Sequence, residues 1–211
     1  MKNVDLNNLF VLDLANNHQG DLKHGINIIE KLSEIVKKEK VKAAIKFQFR
    51  QLESFIHPNF KNNKTTRRID RFESTELTIE DYKKMISKIK SYNILTMCTP
   101  FDEESLDVIK NLDIDILKIA SCSATDIPLI KEIAKLKYPI IASTGGASAD
   151  DIDFLVNTLE SNNAYFALNH CIPIYPTPKD KLQLNQIAYL KKRYFGVPVG
   201  WSTHEDPDDT S

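Results

Sequence analysis

The sequence predicts an α/β fold of the (β/α)8, TIM-type barrel class, incomplete, with about seven strand–helix units in 211 residues. Three observations lead there. Short, nearly continuous apolar runs recur along the chain, as parallel strands covered on both faces should. Helix-like segments with apolar residues three and four apart separate them. From the third strand to the sixth, strands begin about every 22–25 residues, a compact βα period. A doubly wound sheet uses the same parts. The turn after the first strand reads NNHQGD, however, and lacks the G-x-G-x-x-G of a dinucleotide site. The barrel is therefore preferred, and its eighth strand is expected to be missing from these residues.

The strands are expected in FVLDLANNH from Phe10, AAIKFQF from Ala43, ILTMCTPF from Ile94, ILKIAS from Ile116, PIIASTGG from Pro139, YFALNHCI from Tyr165 and VPVGWSTH from Val197. The first helix, HGINIIEKLSEIVKKE, puts Ile28, Ile29, Leu32, Ile35 and Val36 on one stripe. Between Leu52 and Leu77 the second unit is long, polar and basic, and segments of that kind in compact domains are functional or disordered. The helix TIEDYKKMISKIKSY then opens on Thr78 as its N-cap, with Asp81 three residues on. The segments DEESLDVIKNL, DIPLIKEIAKL and ADDIDFLVNTL repeat the helical pattern.

A formal net charge of -1 argues against nucleic acid or a membrane surface as partner. The basic runs Lys37-Lys38 and Lys191-Lys192-Arg193 fall at expected helix ends, where the dipole favours cations. Cys98, Cys122 and Cys171 show no metal spacing and are expected as buried free thiols of a reducing compartment. The start MKNVDLNNLF has no apolar signal-peptide run, so a cytoplasmic location is expected.

In a barrel the carboxyl ends of all strands converge, so the residues there make up the candidate site. They are Asp13, Asn16, Asn17 and His18, then Lys46, Gln48, Thr99, Lys118, Ser121, Ser143, Thr144, His170, Tyr175, Ser202 and His204. Lys46 and Lys118 stand out, because a lysine inside an apolar strand is costly unless its ammonium is paired. Each can instead snorkel to water. Two lysines beside the hydroxyls of KIAS, STGG and WSTH read better as an anion pocket, for a phosphate or carboxylate. His204 alone is a weak sign of a metal, since strand-end histidines are as often structural. Trp201, Tyr165 and Phe166 read as packing.

The motifs DLANNHQGD, IKFQ, TPFD, LKIAS, ASTGGAS, NHCIPIYPTP and GVPVGWSTHE stand in the order seen in the sialic acid synthase (NeuB-like) family, which this sequence resembles from Phe10 to Glu205. The resemblance implies a barrel followed by a small antifreeze-like domain. It also implies a transferase that condenses phosphoenolpyruvate with an N-acetyl hexosamine to form a nine-carbon ulosonic acid, with Mn2+ or Mg2+ as cofactor. By the same resemblance Lys46, Gln48, Thr99, Lys118, Ser121, Ser143 and Ser202 hold phosphoenolpyruvate, Asn17 and Tyr175 contact the substrates, and His204 binds the metal. Lys46, Lys118 and Asp13 form the catalytic set, and the full-length relative is a homodimer. The family's second metal histidine, its last strand and its C-terminal domain lie beyond Ser211, so residues 1–211 are expected to be a truncated barrel domain. Three positions depart from the family pattern: Asp13 and Ser123 stand in place of glutamates, and Pro173 in place of a polar residue. A 3-deoxy-ulosonate synthase acting on a phosphorylated aldose, and a non-catalytic binding homologue, are the alternatives.

Overall fold

The computed structural model describes residues 4–61, 65–206 and 208. They fall into two compact units, one holding residues 8–116 and the other residues 117–208 with 4–7.

The amino-terminal unit runs β1 (Leu9–Asp13), α1 (Leu22–Glu39), β2 (Lys42–Phe49), α2 (Leu52–Phe55), α3 (Arg67–Ser74), α4 (Ile79–Ser91), β3 (Leu95–Pro100) and α5 (Glu103–Lys110). Its strands pair in parallel and in chain order, with Asp13 opposite Lys46 and Gln48 opposite Thr99. The excursion after β2 is not structureless: it contains α2, a single 3-10 turn at Pro58–Phe60, and α3. The pattern of α1 also differs from expectation. Its buried line is Gly25, Ile29 and Ser33, whereas Ile35 is exposed. A Cβ on Gly25 would lie 2.7 Å from Met85 Sδ and 3.2 Å from His18 Cβ, so a side chain there would require the Met85 side chain to shift. Ser33 tolerates burial by donating to Ile29 O at 2.7 Å. Asp21 caps α1 by accepting from the N–H groups of Lys23 and His24, and Thr78 caps α4 as expected, accepting from Asp81 N–H at 3.2 Å.

The second unit runs β4 (Ile116–Ile119), α6 (Ile127–Lys135), β5 (Ile140–Ser143), α7 (Ala149–Ser161), β6 (Phe166–Cys171), α8 (Asn185–Arg193) and β7 (Val199–Ser202). These strands too are parallel and in chain order. β4 and β5 are buried at every position, as strands covered on both faces must be. Ser148 and Asp151 form a reciprocal capping box at the start of α7. The fold is thus α/β with consecutive βα units of the TIM-barrel type. It comprises seven strands, six of them followed by helices among the described residues. Trp201 is half-exposed on β7 rather than packed, and Phe166 is buried as expected.

The ends of β3 and of the link to β4 are tied by one buried carboxylate. Asp115 accepts from Thr96 N–H at 2.9 Å, from Thr96 Oγ1 at 3.0 Å and from Lys90 Nζ at 2.6 Å. Asp115→Ala strands the Thr96 backbone donor and takes the nearer carboxylate from Lys90, leaving the Thr96 hydroxyl to Asp113 O at 2.8 Å and the ammonium to the more distant Asp113 carboxylate. It is expected to lower the free energy of unfolding by about 2–4 kcal/mol, read from urea titration. Asp113→Ala, which removes a carboxylate at 3.4 Å from Lys90 that is mostly exposed, is expected to change it by less than about 1 kcal/mol.

Candidate active site

Strand alternation builds the first cluster. Residues i, i+2 and i+4 of a strand share a face. In β2 and the residue after it, Lys46, Gln48 and Arg50 are half-buried in alternation with fully buried Ile45, Phe47 and Phe49. Each member of the row meets its own partner. Lys46 Nζ pairs with the Asp13 carboxylate at 2.8 Å, across the β1–β2 register. Gln48 stands opposite Thr99, whose hydroxyl is buried and has no hydrogen-bond partner. Arg50 stacks over Phe101 at 3.8 Å and Phe72 at 4.4 Å, and its guanidinium donates to Gln48 Oε1 at 3.1 Å. The polar excursion thus does structural duty, because Phe72 of α3 forms one wall of the arginine's cage.

A cavity of about 250 Å3 opens beside this row, lined by Asn16, Gln48, Arg50, Thr75, Glu76 and Tyr82 among others. Asn16 donates to Thr75 Oγ1 at 2.8 Å, which fastens the first βα turn to the end of α3. Asn17, the expected substrate contact, is exposed on that turn, and its neighbour Asn16 lines the cavity. Burial raises the pKa of Tyr82 above that of a free phenol, so its hydroxyl stays protonated. Burial likewise pushes the Cys98 thiol well up, and that residue is inert core.

The second cluster belongs to the other unit. Lys118 Nζ, buried in β4, donates to Ser143 Oγ at 2.5 Å and to Ile119 O at 2.8 Å. Two expected anion-binding residues are therefore in direct contact. Ser121 begins the turn after β4 and receives the Cys171 thiol at 4.0 Å. Cys171 Sγ also lies 3.9 Å from His204 Nδ1, and Ser202 faces Cys171 across the β6–β7 register. The Tyr175 ring stacks on the His204 ring at 4.0 Å. Lys118 and Ser143 thus form one contact pair, Cys171 links Ser121 to His204, and Tyr175 joins that chain through the His204 ring. Gly145 makes room for Cys171, since a Cβ there would lie 2.8 Å from its carbonyl oxygen. His170 lies outside the chain of contacts and pairs with Leu182 O at 2.8 Å.

His204 Nδ1–H donates to Ile172 O at 2.9 Å. That bond assigns the lone pair to Nε2, the tautomer a metal ligand needs. Among the described residues, however, no group of three or more His, Cys, Asp or Glu side chains could hold a metal ion. They supply one competent ligand and not a set. Asp13, expected in the catalytic set, is the counterion of Lys46. Ser123 is buried, and the expectation of three buried thiols fails at Cys122, which is exposed on the turn after β4. No helix among the described residues is long and apolar enough to cross a membrane.

Sequence reasoning missed Arg50 and Cys171 as parts of the site. The alternation Lys46-x-Gln48-x-Arg50 was a legible signal for the first. Nothing in spacing marked Cys171, which earns its place through contacts with residues 50 and 33 positions away.

These features define a fold of the TIM-barrel type, with a lysine and polar side chains at the carboxyl ends of strands in each unit. The chain belongs to the NeuB family, whose profile matches residues 35–210. It is 34% identical over 207 residues to an N,N'-diacetyllegionaminic acid synthase of Campylobacter jejuni, covering 93% of this chain and 60% of that protein. A Chromobacterium violaceum structure assigned as spore coat polysaccharide biosynthesis protein E superposes with a TM-score of 0.92 at 42% identity, over 95% of this chain and 60% of the other. An N-acetylneuraminic acid synthetase of Leptospira borgpetersenii gives 0.82 at 28%, over 94% and 65%. The chain spans little more than half the length of curated relatives it matches, 52% of one and 60% of another.

One buried titratable group gives a pH signature. His18 is 1% exposed, and its Nδ1 accepts from Gly20 N–H at 3.1 Å. Burial, with a smaller push from His24, lowers its pKa. The unfolded imidazole takes up a proton as pH falls through about 6.5 and the folded one resists, so the stability present above that pH is lost below it. Urea unfolding at pH 7.5 and 5.5 is expected to show this loss, and His18→Gln is expected to flatten it.

Proposed function

We propose that this chain is the barrel portion of a phosphoenolpyruvate-dependent synthase. It joins phosphoenolpyruvate to an N-acetyl hexosamine and forms a nine-carbon, sialic-acid-like ulosonic acid. The observation that carries the reading is Lys118, a buried ammonium whose hydrogen bonds run to the Ser143 hydroxyl and a backbone carbonyl at a strand end. A buried cation beside a hydroxyl at a strand end supports an anion site in a member of the NeuB family.

Lys46, Gln48 and Thr99 of the first unit, and Lys118, Ser121, Ser143 and Ser202 of the second, are each proposed as phosphoenolpyruvate contacts from the resemblance to the family. Their cations and donors offset the phosphate and carboxylate charge. The stranded Thr99 hydroxyl gains a partner when a ligand oxygen binds, which removes a desolvation cost of about 1–3 kcal/mol. The enol carbon of phosphoenolpyruvate attacks the open-chain aldehyde of the sugar, water adds at C2, and phosphate leaves. Asp13 keeps the Lys46 ammonium in place, and Tyr175 meets the sugar. A divalent cation, Mn2+ or Mg2+, belongs to the same proposal with His204 as its single ligand among the described residues, and none of the steps assigned to these side chains passes through it. The working protein is cytoplasmic and, at full length, homodimeric.

The pairing of Lys46 with an internal carboxylate, and a serine at position 123, favour a second reading as a binding homologue without turnover. Phosphate release separates the two. The protein at full length, with phosphoenolpyruvate, Mn2+ and a panel of N-acetyl hexosamines, is expected to release phosphate in step with the loss of phosphoenolpyruvate. Silence across the panel overturns the synthase reading. Release only with arabinose or erythrose phosphates assigns the alternative 3-deoxy-ulosonate chemistry. Lys118→Met is expected to weaken phosphoenolpyruvate binding at least tenfold by calorimetry, consistent with about 1.5–3 kcal/mol for a hydrogen bond to a charged group.

A further inference from the structure

We infer that Arg50 is a positioning residue that sets the polarity of Gln48, so that the site offers amide donors to an anionic oxygen. The inference rests on the phosphoenolpyruvate reading above. A glutamine amide has one acceptor end and one donor end, and an unconstrained one can present either. Here the acceptor end is occupied. The Arg50 guanidinium donates to Gln48 Oε1 at 3.1 Å. Arginine has no acceptor to offer, so this contact admits only one amide orientation, with the Gln48 NH2 turned away from Arg50.

The guanidinium is itself held. It lies over the Phe101 ring at 3.8 Å, the Phe72 ring at 4.4 Å and the Phe55 ring at 5.9 Å. Rings from α2, α3 and the residue after β3 therefore fix its plane by cation–π stacking. A planar group stacked on rings can aim its edge at one acceptor, which a lysine ammonium on a flexible stem does not reproduce. Beside Gln48 in the register stands Thr99, whose buried hydroxyl has no hydrogen-bond partner. A donor-presenting amide next to an unmatched hydroxyl fits a carboxylate or phosphate oxygen. Both are present on phosphoenolpyruvate. The long excursion after β2 thereby acquires a function: through Phe55 and Phe72 it orients a side chain on the strand before it.

A double-mutant cycle on the full chain tests this, with phosphoenolpyruvate affinity measured by calorimetry and folding followed by thermal unfolding. Gln48→Ala is expected to weaken binding about tenfold. Arg50→Met keeps the apolar stem between the rings and loses the donor. It is expected to weaken binding about three- to tenfold in the wild-type background and less than twofold in Gln48→Ala. Arg50→Lys is expected to restore part of the loss, and it serves if Arg50→Met fails to fold. Effects that multiply across the two sites, or an Arg50→Met protein that binds like wild type, overturn the inference while leaving the synthase reading intact. Wild-type protein that does not bind phosphoenolpyruvate overturns both.

Discussion

A lysine ammonium cannot be left among aliphatic side chains without oxygens around it, and much of this site follows from where those oxygens come from. Lys118 sits in a strand buried at every position, where its desolvation would cost several kcal/mol if nothing compensated it. Parallel strands in chain order solve the problem locally. The next strand ends in Ser143, and its hydroxyl reaches the ammonium, as does the carbonyl of Ile119 in the same strand. Lys46 has a different solution, a carboxylate contributed by the strand before it. The two lysines look alike in sequence, yet their contacts differ: Lys46 meets a carboxylate, and Lys118 meets a hydroxyl and a backbone carbonyl. An anion at Lys46 shares that lysine with Asp13.

The same requirement explains the small residues near the strand ends. Gly145 and Gly200 lie where a Cβ would strike Cys171 O at 2.8 Å and Asn169 Oδ1 at 2.6 Å. Bringing hydroxyls, a thiol and an imidazole to the ends of adjacent strands leaves no space for a further side chain between them. Packing in this region is set by polar contacts rather than by aliphatic fill, which is the reverse of the strand interiors below it.

Strand positions were legible because alternation of buried runs with amphipathic helices has one economical solution, consecutive parallel βα units. All seven strands begin within two residues of where the apolar runs put them, but β1 and β5 stop at Asp13 and Ser143, five and three residues short of the ends of their runs. The helix faces were less legible. The stripe expected on α1 counted only large aliphatic residues, but the closest contact is made by Gly25, whose lack of a side chain admits Met85. Hydrophobic periodicity cannot register a residue that packs by absence. The helices of the excursion after β2 were not legible for a related reason: they are short and polar overall, and their order comes from tertiary contacts such as Phe72 on Arg50.

Within the site, residues that bond along or across neighbouring strands could be anticipated, and relays could not. Lys118 with Ser143 follows from two strand ends lying side by side. The path from Ser121 through Cys171 to His204 does not, because a cysteine in an apolar run reads as core. Its position gives His204 a fixed ring. Nδ1 is committed to Ile172 O, Tyr175 covers a face, and Thr177 N–H donates to the His204 carbonyl at 2.8 Å. An imidazole whose tautomer, plane and backbone are all determined before any ligand arrives presents its Nε2 lone pair with little left to order. Preorganisation of this kind is what a strand-end histidine requires if it is to bind rather than merely pack, and it separates His204 from His170, whose Nε2 is already engaged with Leu182 O.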